Sequence, residues 1–241
     1  MNHRYKKLAT PYKIWLYILA LAPIVVMLIL SFIRSEGISF DEADFSFQAF
    51  ELLFDQTTLV AVGNSFLYAS IATIVSLLLG YFVAYQLFKS KIKNKLLILL
   101  IFILPMWSNL LLRTESLGNI MEPNNIIVDL LSKINIHLSI SIKGTPLAVV
   151  IGLVFTYLPF VILPVYTALE KIDYNLEEAS LDLGLTPLNT FWKVVFPLSL
   201  KGVVTGTILV FLPAFSGFAV PEILGKGNVL FIGVLIEQAF K

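Results

Sequence analysis

The chain of 241 residues predicts an all-α, polytopic membrane protein, and three observations carry that prediction. It is 58% hydrophobic and 14% charged, against about 45–50% and about 25% in ordinary soluble chains. The apolar residues lie in uncharged runs at 14–33, 59–88, 96–112, 144–169 and 202–221. Roughly 20 such residues cross the hydrocarbon layer as a helix, so five spans are the direct reading. The basic residues between the runs are shared unequally between the two sides, as they are when lysine and arginine hold one set of loops in the cytoplasm.

Each element follows from these runs. Residues 1–13 form a basic tail, and 14–241 a membrane domain. The first run is too long for a cleaved leader and ends in Ser31-Phe32-Ile33-Arg34, which has no small-x-small cleavage site. The second, at 59–88, is long for one span and implies a tilt or an extension beyond the hydrocarbon. Pro159 and Pro164 in the fourth run predict a kinked or two-part helix, because proline removes a donor from the helical ladder. The stretch 227–236 is too short to span.

Arg4, Lys6, Lys7 and Lys13 precede the first run. Lys89, Lys91, Lys93 and Lys95 join the second to the third, and Lys171, Lys193 and Lys201 the fourth to the fifth. The other side holds Arg34, Arg113, Lys133, Lys143, Lys226 and Lys241 over longer loops. The N-terminus and the loop at 170–201 are therefore expected in the cytoplasm, with 36–55 and 113–143 outside.

That cytoplasmic loop is a designed piece of chain. Its first half is an amphipathic helix ended by Gly184, a residue that takes the left-handed conformation at helix ends. Thr186-Pro187 then reads as an N-cap followed by proline at the first helical position. A second short helix carries Leu188, Phe191, Trp192 and Val195 on one side. Glu178 reads either as a docking acid or as a plain first-turn acid in a capping box with Asn175.

Much chemistry is excluded. There is no cysteine, and no Gly-x-x-x-x-Gly-Lys-Ser/Thr phosphate loop, so ATP is not hydrolysed here. His3 and His137 are isolated, so no metal site and no catalytic residue is expected. A net charge of +1 does not suggest nucleic acid as a partner. A secondary transporter or channel would show intramembrane acids or inverted repeats, and neither is evident.

Across the loop, Glu178-Ala179-Ser180, three residues, Gly184, nine residues and Val194-Val195-Phe196-Pro197 resemble the EAA motif of ABC-importer permeases: Glu-Ala-Ala, three residues, Gly, nine residues, Ile-x-Leu-Pro. Leu104-Pro105-Met106-Trp107, Arg113-Thr114, Leu158-Pro159-Phe160, Leu169 to Asp173 and Leu212-Pro213-Ala214-Phe215 are similar to the spermidine/putrescine type of that family, B-type subunit, from about Trp15 to the end. The resemblance implies a type I ABC-importer permease fold, five helices being visible and the family's sixth missing. It implies a bacterial inner (plasma) membrane location, a cytoplasmic ABC ATPase dimer that uses the ATP, a second C-type permease subunit and an extracytoplasmic polyamine-binding protein. Glu178, Ala179, Ser180, Gly184 and Pro197 would meet the ATPase, and this chain would bind no cofactor. For a polycationic cargo, carboxylates and aromatic faces are suitable. Trp107, Asn109, Tyr157 and Glu222 are the candidates, the acid placed at the external end of the fifth span. A truncated, non-transporting remnant is the alternative that the missing helix would imply.

Overall fold

The computed structural model describes residues 10–34, 44–123, 125 and 141–239. The basic tail up to residue 9, most of the long 113–143 loop and Lys241 lie outside the described residues. The chain divides into two compact units, 1–59 and 60–241.

In the first unit, α1 (Thr10–Leu30) is a 21-residue apolar helix. Two-residue strands β1 (Ile33–Arg34) and β2 (Asp44–Phe45) pair antiparallel, and α2 (Gln48–Leu53) follows. Phe32 stacks on Phe45 with ring centroids 5.8 Å apart, the aromatic seam of this small hairpin.

The second unit is a helical bundle. Its elements are α3 (Gln56–Lys89), whose first turn belongs to the first unit, α4 (Lys95–Ile103), a 3-10 turn (Leu104–Trp107), α5 (Leu110–Ile120), α6 (Pro146–Tyr157) and α7 (Pro159–Glu170). Then come α8 (Tyr174–Asp182), α9 (Pro187–Thr190), a π-turn (Phe191–Val195), α10 (Phe196–Ser216), α11 (Ala219–Gly225) and α12 (Ile232–Ala239). Among the described residues, three helices are long and apolar enough to cross a membrane: α1, α3 and the continuous stretch Pro187–Ser216. The number rises to five if each of two bent pairs is one span.

The bundle is packed as lipid-embedded helices are, with small residues inside and large ones outside. Along α3 the buried positions are Ala61, Ser65, Ala69, Ala72, Thr73, Ser76, Gly80, Ala84 and Leu87, while Phe66, Ile74, Leu78 and Phe82 face outward. Small side chains let backbones approach, and the large apolar ones meet solvent of their own kind. A close backbone contact joins α7 to α10: a Cβ on Gly202 would stand 2.5 Å from the Pro164 carbonyl oxygen. Only glycine fits there.

Three expectations are corrected. Residues 96–112 do not form one straight span: the chain breaks at 104–109 and α5 leaves at 95° to the helix before it. Pro105 cannot donate to the helical ladder, and Asn109 starts a new helix by accepting the N–H groups of Leu111 and Leu112 on Oδ1 at 2.8 and 3.4 Å. The second loop helix is not separate, because α9 runs through the π-turn into α10. The fifth span ends at Ser216 rather than 221, and Glu222 belongs to the short helix α11 beyond it. The two-part fourth run is present as α6 and α7, bent by 43° at Leu158-Pro159.

Candidate functional site

The loop after α7 is built by local hydrogen bonds. Asp173 caps α8, its carboxylate accepting the Asn175 N–H at 3.0 Å, so the capping residue is Asp173 and not Asn175. Glu177 is the first-turn acid, where the helix dipole favours it, and Glu178 stands one residue further on with its side chain exposed. At the other end Gly184 has φ +85. The Leu185 N–H reaches the Ser180 carbonyl at 3.1 Å and the Gly184 N–H the Leu181 carbonyl at 2.9 Å, the paired bonds of a Schellman turn. Thr186 then caps α9, accepting the Asn189 N–H at 3.4 Å, with Pro187 at the first helical position.

Side chains lock this corner. Ser180 and Thr190 are buried with their hydroxyl oxygens 2.9 Å apart. Ser180 Oγ donates to the Glu177 carbonyl at 2.7 Å, so the Thr190 hydroxyl is left to donate to Ser180. The serine that departs from Glu-Ala-Ala thereby ties α8 to α9. The π-turn follows from Pro197. Lacking an N–H, proline cannot make the next ladder bond, and the register slips by one residue so that the Phe196 N–H reaches the Phe191 carbonyl.

The loop is also bound to α3. Lys89 Nζ, in the last turn of α3, pairs with Glu177 Oε1. Lys89 lies 5.8 Å from the Tyr85 ring centroid, and Phe191 packs edge-on against Tyr85 and Tyr81 at 5.1 and 5.8 Å. Tyr81 Oη is 2.9 Å from Ser199 Oγ, which itself donates to the Phe196 carbonyl, so the tyrosine is the donor. None of these ties is legible in the sequence, where Lys89 counts only as a topology charge and nothing singles out Glu177.

On the solvent side, Ala179, Ser180 and Pro197 line one hollow of about 520 Å³ with Leu176, Leu183 and Lys193. Leu183 is 86% exposed and Leu188 68%. Glu178 and Gly184 are on the loop but do not line the hollow. A folded corner with bare leucines is a surface on which another protein can close.

The proposed cargo residues are not brought together. Trp107 ends the 3-10 turn and is 83% exposed. Asn109 serves as the cap of α5. Tyr157 is buried at the end of α6, its hydroxyl donating to the Pro213 carbonyl at 3.3 Å, and lines a 90 Å³ cavity with Leu110 and residues 217–221. Glu222 is half-buried in the first turn of α11. At this end of the bundle the strongest polar structure is a charge cluster: Lys143 Nζ meets Glu115 at 3.3 Å and Glu122 at 3.1 Å, and Lys226 meets Glu122 at 3.0 Å. Hydrogen bonds from Lys226 and Lys143 hold the Glu122 carboxyl below its usual range. Burial pulls the Lys143 ammonium down, but the two carboxylates outweigh it and leave it raised.

Residues 59–240 match the model of the family described as binding-protein-dependent transport system inner membrane component. The chain is 35% identical, over all of its length and 85% of the relative's, to the spermidine/putrescine transport system permease protein PotB of Haemophilus influenzae. It is 34% identical to the PotB protein of Escherichia coli K12, covering 94% of this chain and 82% of that one. Among solved structures it is similar to a bacterial ABC transporter involved in the import of the acidic polysaccharide alginate. That match has a TM-score of 0.65 at 20% identity and covers 99% of this chain and 81% of the other, a likeness of fold.

Proposed function

This chain belongs to the family of binding-protein-dependent transport system inner membrane components, a multi-pass membrane protein with an ABC-importer permease fold, and from that premise we propose that it is a permease subunit for polyamines. Its similarity to two spermidine/putrescine permease proteins over nearly the whole chain carries the choice of cargo. In this reading the loop at 170–201 is cytoplasmic and docks on a separate ABC ATPase dimer. A C-type permease subunit completes the path, and an extracytoplasmic binding protein delivers the polyamine. The chain binds no cofactor of its own; ATP is used by the partner.

In this reading the loop residues take mechanical roles. Ala179, Ser180 and Pro197 form the hollow, Glu178 stands beside it as a charged contact, and Gly184 sets the turn that holds the two loop helices apart. Movement imposed on this corner has three routes into α3: the Lys89–Glu177 pair, the Phe191–Tyr85 contact and the Tyr81–Ser199 hydrogen bond. At the opposite end, Glu222 supplies charge and Trp107 an exposed aromatic face for an arriving ammonium group.

The test is uptake of labelled spermidine and putrescine by the assembled transporter in cells without other polyamine uptake. Uptake of both that needs the ATPase is the expected result. Glu222→Gln should lower it about tenfold, equivalent to about 1.4 kcal/mol, with a smaller loss at high salt. Wild-type rates in Glu222→Gln and Trp107→Ala would remove both from the path. An assembled transporter that moves sulfate but no polyamine would overturn the choice of cargo.

A further inference from the structure

Beside the α7–α10 contact is a second cavity of about 620 Å³, which shares Leu176, Pro197 and Leu198 with the hollow of the coupling reading but extends away from it along α7 and α10. Its lining includes Pro164, Thr167 and Lys171 from α7 and its cap, and Leu198, Lys201 and Thr205 from α10. The two helices approach closely at Gly202, which lines the cavity with Pro164 and Ala168. Its position is at the C-terminal end of α7 and in the N-terminal part of α10, next to the loop and just before the uncharged run at 202–221.

The charge of this cavity is net positive, two lysines against one aspartate. Lys171 and Lys201 are both exposed, and among the described residues neither forms an ion pair. The Thr167 hydroxyl donates to the Pro164 carbonyl at 3.0 Å and the Thr205 hydroxyl to the Lys201 carbonyl at 2.8 Å, so neither is left as a donor. Asp173 also lines the cavity and keeps its negative charge, with Oδ1 accepting the Asn175 N–H at the start of α8. The cavity thus has two ammonium groups, one from each helix, against one carboxylate, and an apolar wall that includes Leu198, itself 47% exposed.

We propose that this cavity binds the headgroup of an anionic phospholipid, its phosphate held between Lys171 and Lys201 and its acyl chains lying along the apolar wall. Basic pockets between membrane helices attract acidic headgroups, and long lysine side chains reach the headgroup level while their stems stay on the apolar surface. A free phosphate would meet the lysines but leave the apolar wall wet. An acidic peptide would bring no chains for it. The lipid satisfies both halves of the site, and the inference does not depend on which cargo the protein carries.

The test uses the assembled transporter in detergent, titrated with phosphatidylglycerol or phosphatidylcholine and read by native mass spectrometry. Phosphatidylglycerol should be retained over phosphatidylcholine. Lys171→Gln and Lys201→Gln should each weaken its binding about fivefold, and the double variant about thirty-fold, from about 1 kcal/mol per basic residue near the membrane surface. Lys171→Arg with Lys201→Arg keeps the charge and should keep the lipid, which separates loss of binding from loss of folding. Lys91→Gln with Lys93→Gln makes the same charge change on the 90–95 loop and should alter binding by less than twofold. Equal loss in that control, equal retention of phosphatidylcholine, displacement of the lipid by inorganic phosphate, or protection of the two lysines only by the ATPase would each overturn the proposal. Polyamine uptake is scored separately, so failure here leaves the transport reading standing.

Discussion

The two ends of the bundle in the second unit are held by different kinds of force. At the loop end, residues 173–197 are shaped by bonds between neighbours: Asp173 and Thr186 cap the helices, Gly184 closes the Schellman turn, and Pro197 goes with the π-turn. At the other end, α5, the 141–145 segment and α11 are joined across long stretches of chain. The charge cluster of Glu115, Glu122, Lys143 and Lys226 links them, as do the Gly144 N–H on the Leu224 carbonyl at 2.6 Å and the Asn228 amide on the Gly144 carbonyl at 3.1 Å. The loop is a locally specified part carried by the bundle. The opposite end is specified by the bundle itself.

Substitutions separate these cases, and the largest effect is expected in the frame both ends share. Gly202→Val puts a side chain against the Pro164 carbonyl, backbone that cannot step aside, and should cost about 3 kcal/mol, the upper end for overpacking. Folded protein recovered on size exclusion should fall steeply, with both ends lost together. Normal recovery would show that α7 and α10 can separate without harm.

Next is Lys143→Met, which removes the cation between two carboxylates and should lower stability by less than the loss of a fully buried pair does, because Glu115 and Glu122 are 52% and 36% exposed. The pH dependence has a definite sign. Glu122 has a depressed pKa, so its contribution is present above the usual carboxylate range and is lost as pH falls through the lower folded value. Lys143 has a raised pKa, so its contribution is full below the usual lysine value and is lost as pH rises through the higher folded one. Thermal unfolding should be flat from about pH 5 to about pH 10 for this cluster, and Lys143→Met should reduce the acid-side loss. An unchanged acid limb in the variant would show that the cluster is not the tie at this end.

The smallest effects on stability belong to the loop, where uptake rather than folding should respond. Gly184→Val meets no atom within 4 Å, so its cost is the left-handed backbone alone, about 1–2 kcal/mol and confined to the corner. Glu177→Gln removes a partly exposed ion pair worth less than about 1 kcal/mol. Membrane levels should stay near normal in both while polyamine uptake falls, with ATPase pull-down falling as well in Gly184→Val. If Glu177→Gln lowers uptake with ATPase binding unchanged, the Lys89 tie transmits movement; unchanged uptake would leave it a surface pair.

This division also explains what was legible in the sequence. Thr186-Pro187 and Gly184 act where they stand, so the corner could be read from residue order. Asn175 was the wrong cap because Asp173, two residues earlier, offers its carboxylate to the same helix end. Asn109 carried a signal that was available, a capping residue just after Pro105, and it marks the start of α5 where the apolar run suggests an unbroken span. The charge cluster was hidden, because Glu115, Lys143 and Lys226 are far apart in the chain and none has a pattern that names its partner.

The sequence by itself determined that the chain is helical and membrane-embedded, that its fourth run is bent, and that a capped corner ends at Gly184, since long apolar runs, prolines and helix caps act over a few residues. Only the tertiary structure decided that α5 turns away from α4, that Lys89 meets Glu177, that Ser180 meets Thr190, and that Lys171 and Lys201 share a cavity. Those outcomes depend on which helix surfaces come together, and in a bundle whose faces are all apolar the packing of small residues such as Gly80 and Gly202 sets the pairing.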